Sequence, residues 1–470
     1  MNLRLNLAAL CVAAALAPAA FASAPVAMPA DLPPFAPDRP LPVPEVARHT
    51  LDNGLQVWIV PRDGVPRVDY VLVFRNAGLA ADAPETPAFA SMLAGLLTEG
   101  TAARDSREIA EQAQGLGGGI GGYAATDGLA INANSLPSKA AEMAALLAEV
   151  ARTPNFPQAE IDLAKANALQ GLKASEAQPG FRAERAMLAA LYGDHPYART
   201  QATEAGIAAV DRDTLVAEHA RRLRPDNALL VIAGRIGEDE ALALVKQHFG
   251  DWRAEGEPPA PTAMARNGAA PTRVLLKREG SVQSTVRIGR PAIRATHPDS
   301  LPLELASTVL GGSFSSRLMQ NLREDKGYTY GARLGQRRLA SGGALVSSAD
   351  VRNEVTGAAV SEFFAEFNRL ANEPVPAAEL EMNKRYVAGS YLISNQLQRS
   401  VAGSLAGNWL LGLPPEYIAE YVPRIREVTA EQVQAMGRKY FQPAQQSIVV
   451  VGDEAVLDQL KPYGEFRLAD

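Results

Sequence analysis

Cysteine is nearly missing from this chain: Cys11 is the only one in 470 residues, and it lies inside the leading apolar stretch. Once that stretch is removed no thiol remains. Disulfides, cysteine metal sites and thiol nucleophiles are thereby excluded, and stability must come from packing. Histidine is scarce as well. The five present, His49, His195, His219, His248 and His297, never fall within one helical turn of each other, which excludes a local histidine pair for zinc. A basic excess is also lacking: 46 Lys and Arg stand against 52 Asp and Glu, a net charge of −6. That balance argues against a nucleic-acid surface and for a peptide or protein partner. Beyond the first residues no run is apolar enough to span a bilayer.

Those first residues are informative in themselves. Arg4, the apolar run Leu5 to Phe21 and the small residues around Ala20-Phe21-Ala22 form a secretory signal over 1–22, so export to the periplasm or beyond is expected. Residues 24–46 hold eight of the 33 prolines, and 23–46 is expected to be an extended arm. A second proline-rich break, 258–271, reads as a linker. The segments flanking it, 47–257 and 272–470, are built alike. Each opens with strands (Leu55 to Val60 and Val68 to Phe74; Arg273 to Lys277 and Val282 to Ile288). Each continues through alanine- and leucine-rich helices and closes with a buried strand and a short helix (Ala228 to Gly234, then Glu238 to Phe249; Ser447 to Gly452, then Glu454 to Leu460). Strands at both ends with consecutive helices between them predict two similar α+β domains arising by internal duplication.

Three stretches could carry chemistry. Gly117 to Gly122 satisfies G-x-G-x-x-G by letter, but it follows a helical segment and leads into a strand, the reverse of a dinucleotide loop. It reads either as a flexible connection or as a mobile loop beside a sheet edge, where Gly119, Gly121, Gly122 and Tyr123 would let a peptide backbone come close. Gly311 to Ser315 is one glycine short of a nucleophile elbow, so Ser313 or Ser315 reads as the cap of a following helix. That helix is expected to end at Gly327, with a strand from Tyr328 to Ala332. Arg323 and Tyr330 either complement a helix end and a half-buried strand, or together donate to a peptide carbonyl or a developing oxyanion. His195, between Asp194 and Pro196, reads as a residue tying down a turn.

An inverted zincin motif, H-x-x-E-H, sets two imidazoles one turn apart beside a carboxylate base. The stretch from Phe89 to Thr101 has its frame, with Ser91, Ala94 and Gly95 at the three chemical positions. Together with Leu51-Asp52-Asn53-Gly54, Leu191 to Tyr197, Arg224 to Ala228 and Leu322 to Tyr330, this stretch makes the chain resemble the pitrilysin/insulinase family of zinc metallopeptidases. The likeness is to its short members similar to the mitochondrial processing peptidase. The resemblance implies two like domains, each a mostly antiparallel sheet packed with helices. It also implies roles for Arg323 and Tyr330 in substrate binding and catalysis. The family's later glutamate ligand falls near Leu169-Gln170-Gly171, where no carboxylate stands. The same resemblance therefore implies a subunit without its own metal, inactive alone, that pairs with a homologous zinc-bearing subunit and closes over an extended peptide. The alternatives are a non-proteolytic scaffold or peptide-binding homodimer of the same fold, and an independent peptidase with an unrecognised metal site.

Overall fold

The computed structural model describes residues 43–265 and 270–469. The expected signal and most of the proline-rich arm lie outside them. In the first half six strands, β1 (Ala47–Thr50), β2 (Gln56–Pro61), β3 (Val68–Arg75), β4 (Gly119–Ala124), β5 (Gly128–Ser135) and β6 (Ala228–Gly234), form one sheet in the order β1-β2-β6-β3-β5-β4. Only β2 and β6 run parallel. The second half repeats this with β7 (Arg273–Lys277), β8 (Gln283–Ala292), β9 (Ala332–Leu339), β10 (Gly342–Arg352), β11 (Ser447–Gly452) and β12 (Arg467–Ala469), ordered β12-β7-β11-β8-β10-β9. There β7 runs parallel to both β11 and β12. Each sheet is therefore mixed, with antiparallel pairs in the majority.

The helices follow the same duplicated plan. The first half carries α1 (Phe89–Leu96), α2 (Ser106–Gly115), α3 (Ala140–Arg152), α4 (Gln158–Glu176), α5 (Pro179–Tyr192), α6 (Glu204–Ala208), α7 (Arg212–Arg222) and α8 (Glu238–Phe249). The second carries α9 (Ser300–Ser307), α10 (Thr356–Asn372), α11 (Ala377–Ser394), α12 (Gln398–Leu410), α13 (Tyr417–Glu427), α14 (Ala430–Tyr440) and α15 (Leu457–Leu460). Local signals set several boundaries. Capping boxes at Asp105 and Thr429 start α2 and α14, satisfying amides that have no partner within the helix. Pro179 opens α5 where its missing N–H does no harm.

Every residue of β6 and β11 is buried, so both faces of each sheet need cover. One face of the first sheet, with Val57, Ile59 and Leu72, packs on helices of its own half. Its other face, Trp58, Val60, Val71 and Val231, packs on Val401, Leu405 and Trp409 of α12, from the second half. The exchange is mutual: α5 of the first half lays Met187, Leu188 and Leu191 on Val274, Leu276, Val449 and Val451 of the second sheet. Each fully covered large apolar side chain contributes about 1.5–3 kcal/mol, so the halves stabilise each other through their cores.

Polar ties reinforce the exchange. The Arg75 guanidinium stacks 3.6 Å from the Trp409 ring centroid and donates to the Trp409 carbonyl. At the β4–β5 turn, Asp127 accepts from the Tyr197 hydroxyl at 2.5 Å and from the Ala340 amide at 2.9 Å, while Ser341 N–H donates to the same hydroxyl at 3.0 Å. This joins the turn to its counterpart between β9 and β10. His195 pins its turn by accepting from Tyr197 N–H at 3.2 Å and approaching the Ala263 carbonyl at 2.8 Å.

Candidate functional site

The frame of the zinc helix is held firmly. Asp82, buried, accepts the Ala90 amide at 3.2 Å on both carboxylate oxygens and pairs with Arg222 at 2.7 Å. Arg222 is itself 2% exposed, and its guanidinium lies 5.4 Å from the Phe89 ring centroid. Burial raises the Asp82 carboxyl to about 6 while Arg222 lowers it. On the helix so anchored, Ser91 and Gly95 are exposed and Ala94 is buried. None of these three can donate a pair of electrons to zinc as imidazole or carboxylate does, and Leu169, Gln170 and Gly171 on α4 offer no carboxylate. Among the described residues no group of three or more His, Cys, Asp or Glu is placed to hold a metal ion. The donor set does not fit zinc.

Gly122 of β4 meets α1 directly: a Cβ there would stand 2.3 Å from the Ala94 carbonyl oxygen. The expected connection around this glycine is in fact strand β4 from Gly119 onward. Glycine has no side chain to display alternation, so the sequence conceals this strand's pairing with β5. β4 is the last strand of its sheet, leaving one row of backbone groups unpaired. Positions Gly119 and Gly121 are open to added side chains. Together with Gly122, Tyr123, Asp69 and Arg399 they border a groove of about 380 Å³.

The second half presents Arg323 and Tyr330 differently from expectation. The helix that carries Arg323 is π-wound over Met319–Asp325, and helical structure starts only after Ser316, so neither Ser313 nor Ser315 caps it. Gly327, with φ +62°, ends it; its N–H donates to the Arg323 carbonyl at 3.1 Å, and Tyr328 N–H to Leu322 at 2.8 Å. The expected strand at 328–332 is a loop up to Gly331, because Thr329 Oγ1 takes the Gly331 amide at 3.1 Å and diverts the backbone from pairing. Tyr330 is accordingly no half-buried strand residue. It is 93% exposed. Arg323 lies 4.6 Å from the centroid of Phe314, itself exposed, with Glu324 at 3.5 Å. The aromatic support of Arg323 by Phe314 has no signal in the sequence, since Phe314 sits in an irregular turn ahead of the helix that carries Arg323. Behind them Arg317 makes a two-pronged bond to Glu379 of α11, 2.8 Å on each arm.

Residues 65–204 match the insulinase, or peptidase family M16, profile, and 209–387 match the profile described as the peptidase M16 inactive domain. The chain belongs to peptidase family M16. An uncharacterized zinc protease of Mycobacterium leprae is 28% identical over 400 residues, covering 84% of this M16 chain and 89% of that protein. The non-peptidase homolog YmxG of Helicobacter pylori is 23% identical over 372 residues, covering 77% of this chain and 83% of its own. Among solved structures, a peptidase M16 inactive domain from Pseudomonas fluorescens superposes with a TM-score of 0.80 at 26% identity, covering 87% of this chain and 98% of that one. The M16 fold and its duplication thus account for the paired sheets.

Proposed function

We propose that this M16 chain is the non-metal-binding subunit of a two-chain peptidase, in which a homologous partner holds zinc and this chain binds extended peptide and offers Arg323 and Tyr330 to the reacting carbonyl. The observation that carries the reading is the contrast on one chain between α1 and the second half. α1 has Ser91, Ala94 and Gly95 in place of ligands, whereas Arg323 and the 93% exposed Tyr330 remain on the surface with donor groups free of buried partners. A guanidinium and a phenol stabilise negative charge developing on a carbonyl oxygen, the term most often dominant in acyl-group hydrolysis. The open side of β4, with Gly119, Gly121, Gly122 and Tyr123 along it, suits the addition of a peptide strand through main-chain hydrogen bonds. The leading apolar segment supports export to the periplasm or beyond.

Reconstitution tests this. The purified chain is mixed with a zinc-bearing M16 homologue from the same host, and peptide cleavage is compared with either chain alone. A gain only in the mixture is expected. The name of the Helicobacter pylori relative, a non-peptidase homolog, favours the second reading, a non-proteolytic scaffold or peptide-binding homodimer. That reading predicts no gain. Stoichiometric zinc and unaided cleavage by the purified chain would overturn both.

A further inference from the structure

Large apolar side chains left in water collect along one helix of the second half. α11 exposes Met382, Tyr386 and Ile393, and the exposed Leu397 continues the row just past its end. At spacings of four and seven residues the first three share one side of the helix. Gly389 lies between them on that side, and a Cβ there would have nothing within 4 Å. The opposite side is buried, yet it carries Asn383 and Lys384 beside Leu380, Val387 and Ala388. A helix packed on one side and solvated on the other has the reverse arrangement, with its polar groups outward. A row of apolar side chains at the surface, with polar ones spent inside, marks a face that a partner covers.

The two ends of the row and its charges indicate what covers it. At the start, Glu379 takes the two-pronged bond of Arg317, which ties α11 to the chain leading into the π-wound segment of Arg323. Past the end, Gln398 donates to the carbonyls of Val65 at 2.9 Å and Arg67 at 3.1 Å, and Arg399 borders the groove beside β4. The row therefore leads from the open edge strand toward the segment of Arg323. Arg317 and Lys384 balance the carboxylates of Glu379 and Glu381. Arg385 and Arg399, both exposed, are then the open charges along it, a positive flank on a chain of net charge −6. Its pitch also suits an extended peptide. Met382 and Tyr386 are about 6 Å apart along the helix axis, close to the ~6.6 Å between alternate residues of a strand, which point to one side.

We propose that this face of α11 continues the peptide track: a peptide paired with β4 runs on across α11, laying apolar side chains on Met382, Tyr386 and Ile393 and an acidic one toward Arg385. The proposal rests on the peptide-binding reading above and adds a substrate class to it, extended peptides in which apolar residues at every second position and acidic residues follow the segment that pairs with β4.

The test uses the full chain alone, without partner or cleavage. Fluorescent peptides share one strand-forming segment and differ in an extension of about five residues, the length that spans the row from Met382 to Ile393. Its apolar positions are leucine or serine, and its acidic position is glutamate or lysine. Anisotropy should show the leucine and glutamate peptide binding about tenfold tighter than the serine peptide, as covering two or three part-exposed apolar side chains gives, with lysine weaker than glutamate. The double variant Tyr386→Ser and Ile393→Ser should lose the tenfold gain while the serine peptide binds as before and the unfolding midpoint holds. Arg385→Glu should reverse the preference between glutamate and lysine. Val216→Ser, at an exposed apolar residue of α7, should change none of these. Equal binding of leucine and serine peptides, or a gain that survives the double variant, overturns the track and leaves the peptide-binding reading standing. A dimer in sedimentation that the double variant dissolves without altering the gain also overturns it, because a second copy then covers the face. Failure of every peptide to bind overturns both.

Discussion

The two halves share a plan and differ in what they do with it. Both build a six-stranded sheet, lend a helix to the other's open face and set an all-buried strand third in the sheet. In the first half the helix after β3 is an ordinary α-helix clamped by a buried ion pair, Asp82 with Arg222, and its small residues make room. In the second half the corresponding region is π-wound at Thr308–Gly312 and again at Met319–Asp325, and it holds Arg323 and the loop of Tyr330 at the surface. Duplication thus conserves the core while the helix after β3 and its counterpart after β8 diverge. One copy is packed for room, the other for display.

The largest expected effect is on stability and probes the clamp. Asp82→Ala takes the carboxylate from one arm of the buried Arg222 and leaves only Glu218, at 2.6 Å from Nε, which should cost about 3 kcal/mol, the low end for breaking a buried pair. Glu379→Ala, which strips Arg317 of a partner that is 24% exposed, should cost less, about 1–3 kcal/mol, because water reaches the site. Urea unfolding of both variants checks the asymmetry; equal losses would dissolve the contrast between halves. Next comes activity of the reconstituted pair. Arg323→Ala should slow cleavage on the order of 10²-fold, as loss of one oxyanion donor does, and Tyr330→Phe should slow it less. Neither should lower the unfolding midpoint or the zinc content of the complex. Unchanged turnover in both variants would remove the catalytic role of the second half.

Much of the fold is legible in the sequence. Ala228–Gly234 and Ser447–Gly452 have the bounds that their apolar runs imply, because a short continuous apolar run fits a strand buried on both faces, and α8 has the expected bounds Glu238–Phe249. The exchange of α5 and α12 is not legible. Their apolar faces announce burial, but which sheet they cover depends on partners far along the chain, in the other half. Composition misplaces Tyr330 into a strand because aromatic and β-branched neighbours mimic one, while one threonine hydroxyl decides the turn. The roles of Arg323 and Tyr330 come through family likeness; spacing alone leaves them open.

Glycine positions sharpen the comparison at a smaller scale. Gly122→Ala would press a methyl carbon to 2.3 Å from the Ala94 oxygen and should destabilise by about 1–3 kcal/mol. Gly121→Ala on the same strand meets nothing within 4 Å and should leave the unfolding midpoint unchanged. If both behave alike, the close approach of β4 to α1 is not what the first half is built around.

The smallest effect concerns the helix that precedes each closing strand. At the third residue before its end, α7 has His219 and α14 has Gly437. Gly437 packs so close to α10 that a Cβ would lie 2.6 Å from the Leu370 carbonyl oxygen. His219 instead spans a wider gap, with Nε2 2.9 Å from the Ala151 carbonyl at the end of α3 and its ring edge-on to Phe156. Burial lowers the His219 pKa from its ordinary 6.5, so the unfolded chain takes up this proton more readily than the folded one. The contribution to stability is then complete above pH 6.5 and declines as the pH falls from 6.5 toward the depressed folded value. Only the first half should show this dependence, since glycine does not titrate. Thermal unfolding of the chain and of His219→Gln, which keeps a donor for Ala151, should give midpoints that differ in their fall between pH 7.5 and pH 5, the variant falling less. Parallel curves would mean that the histidine is charged in the folded state and that the wider gap between α7 and α3 admits water.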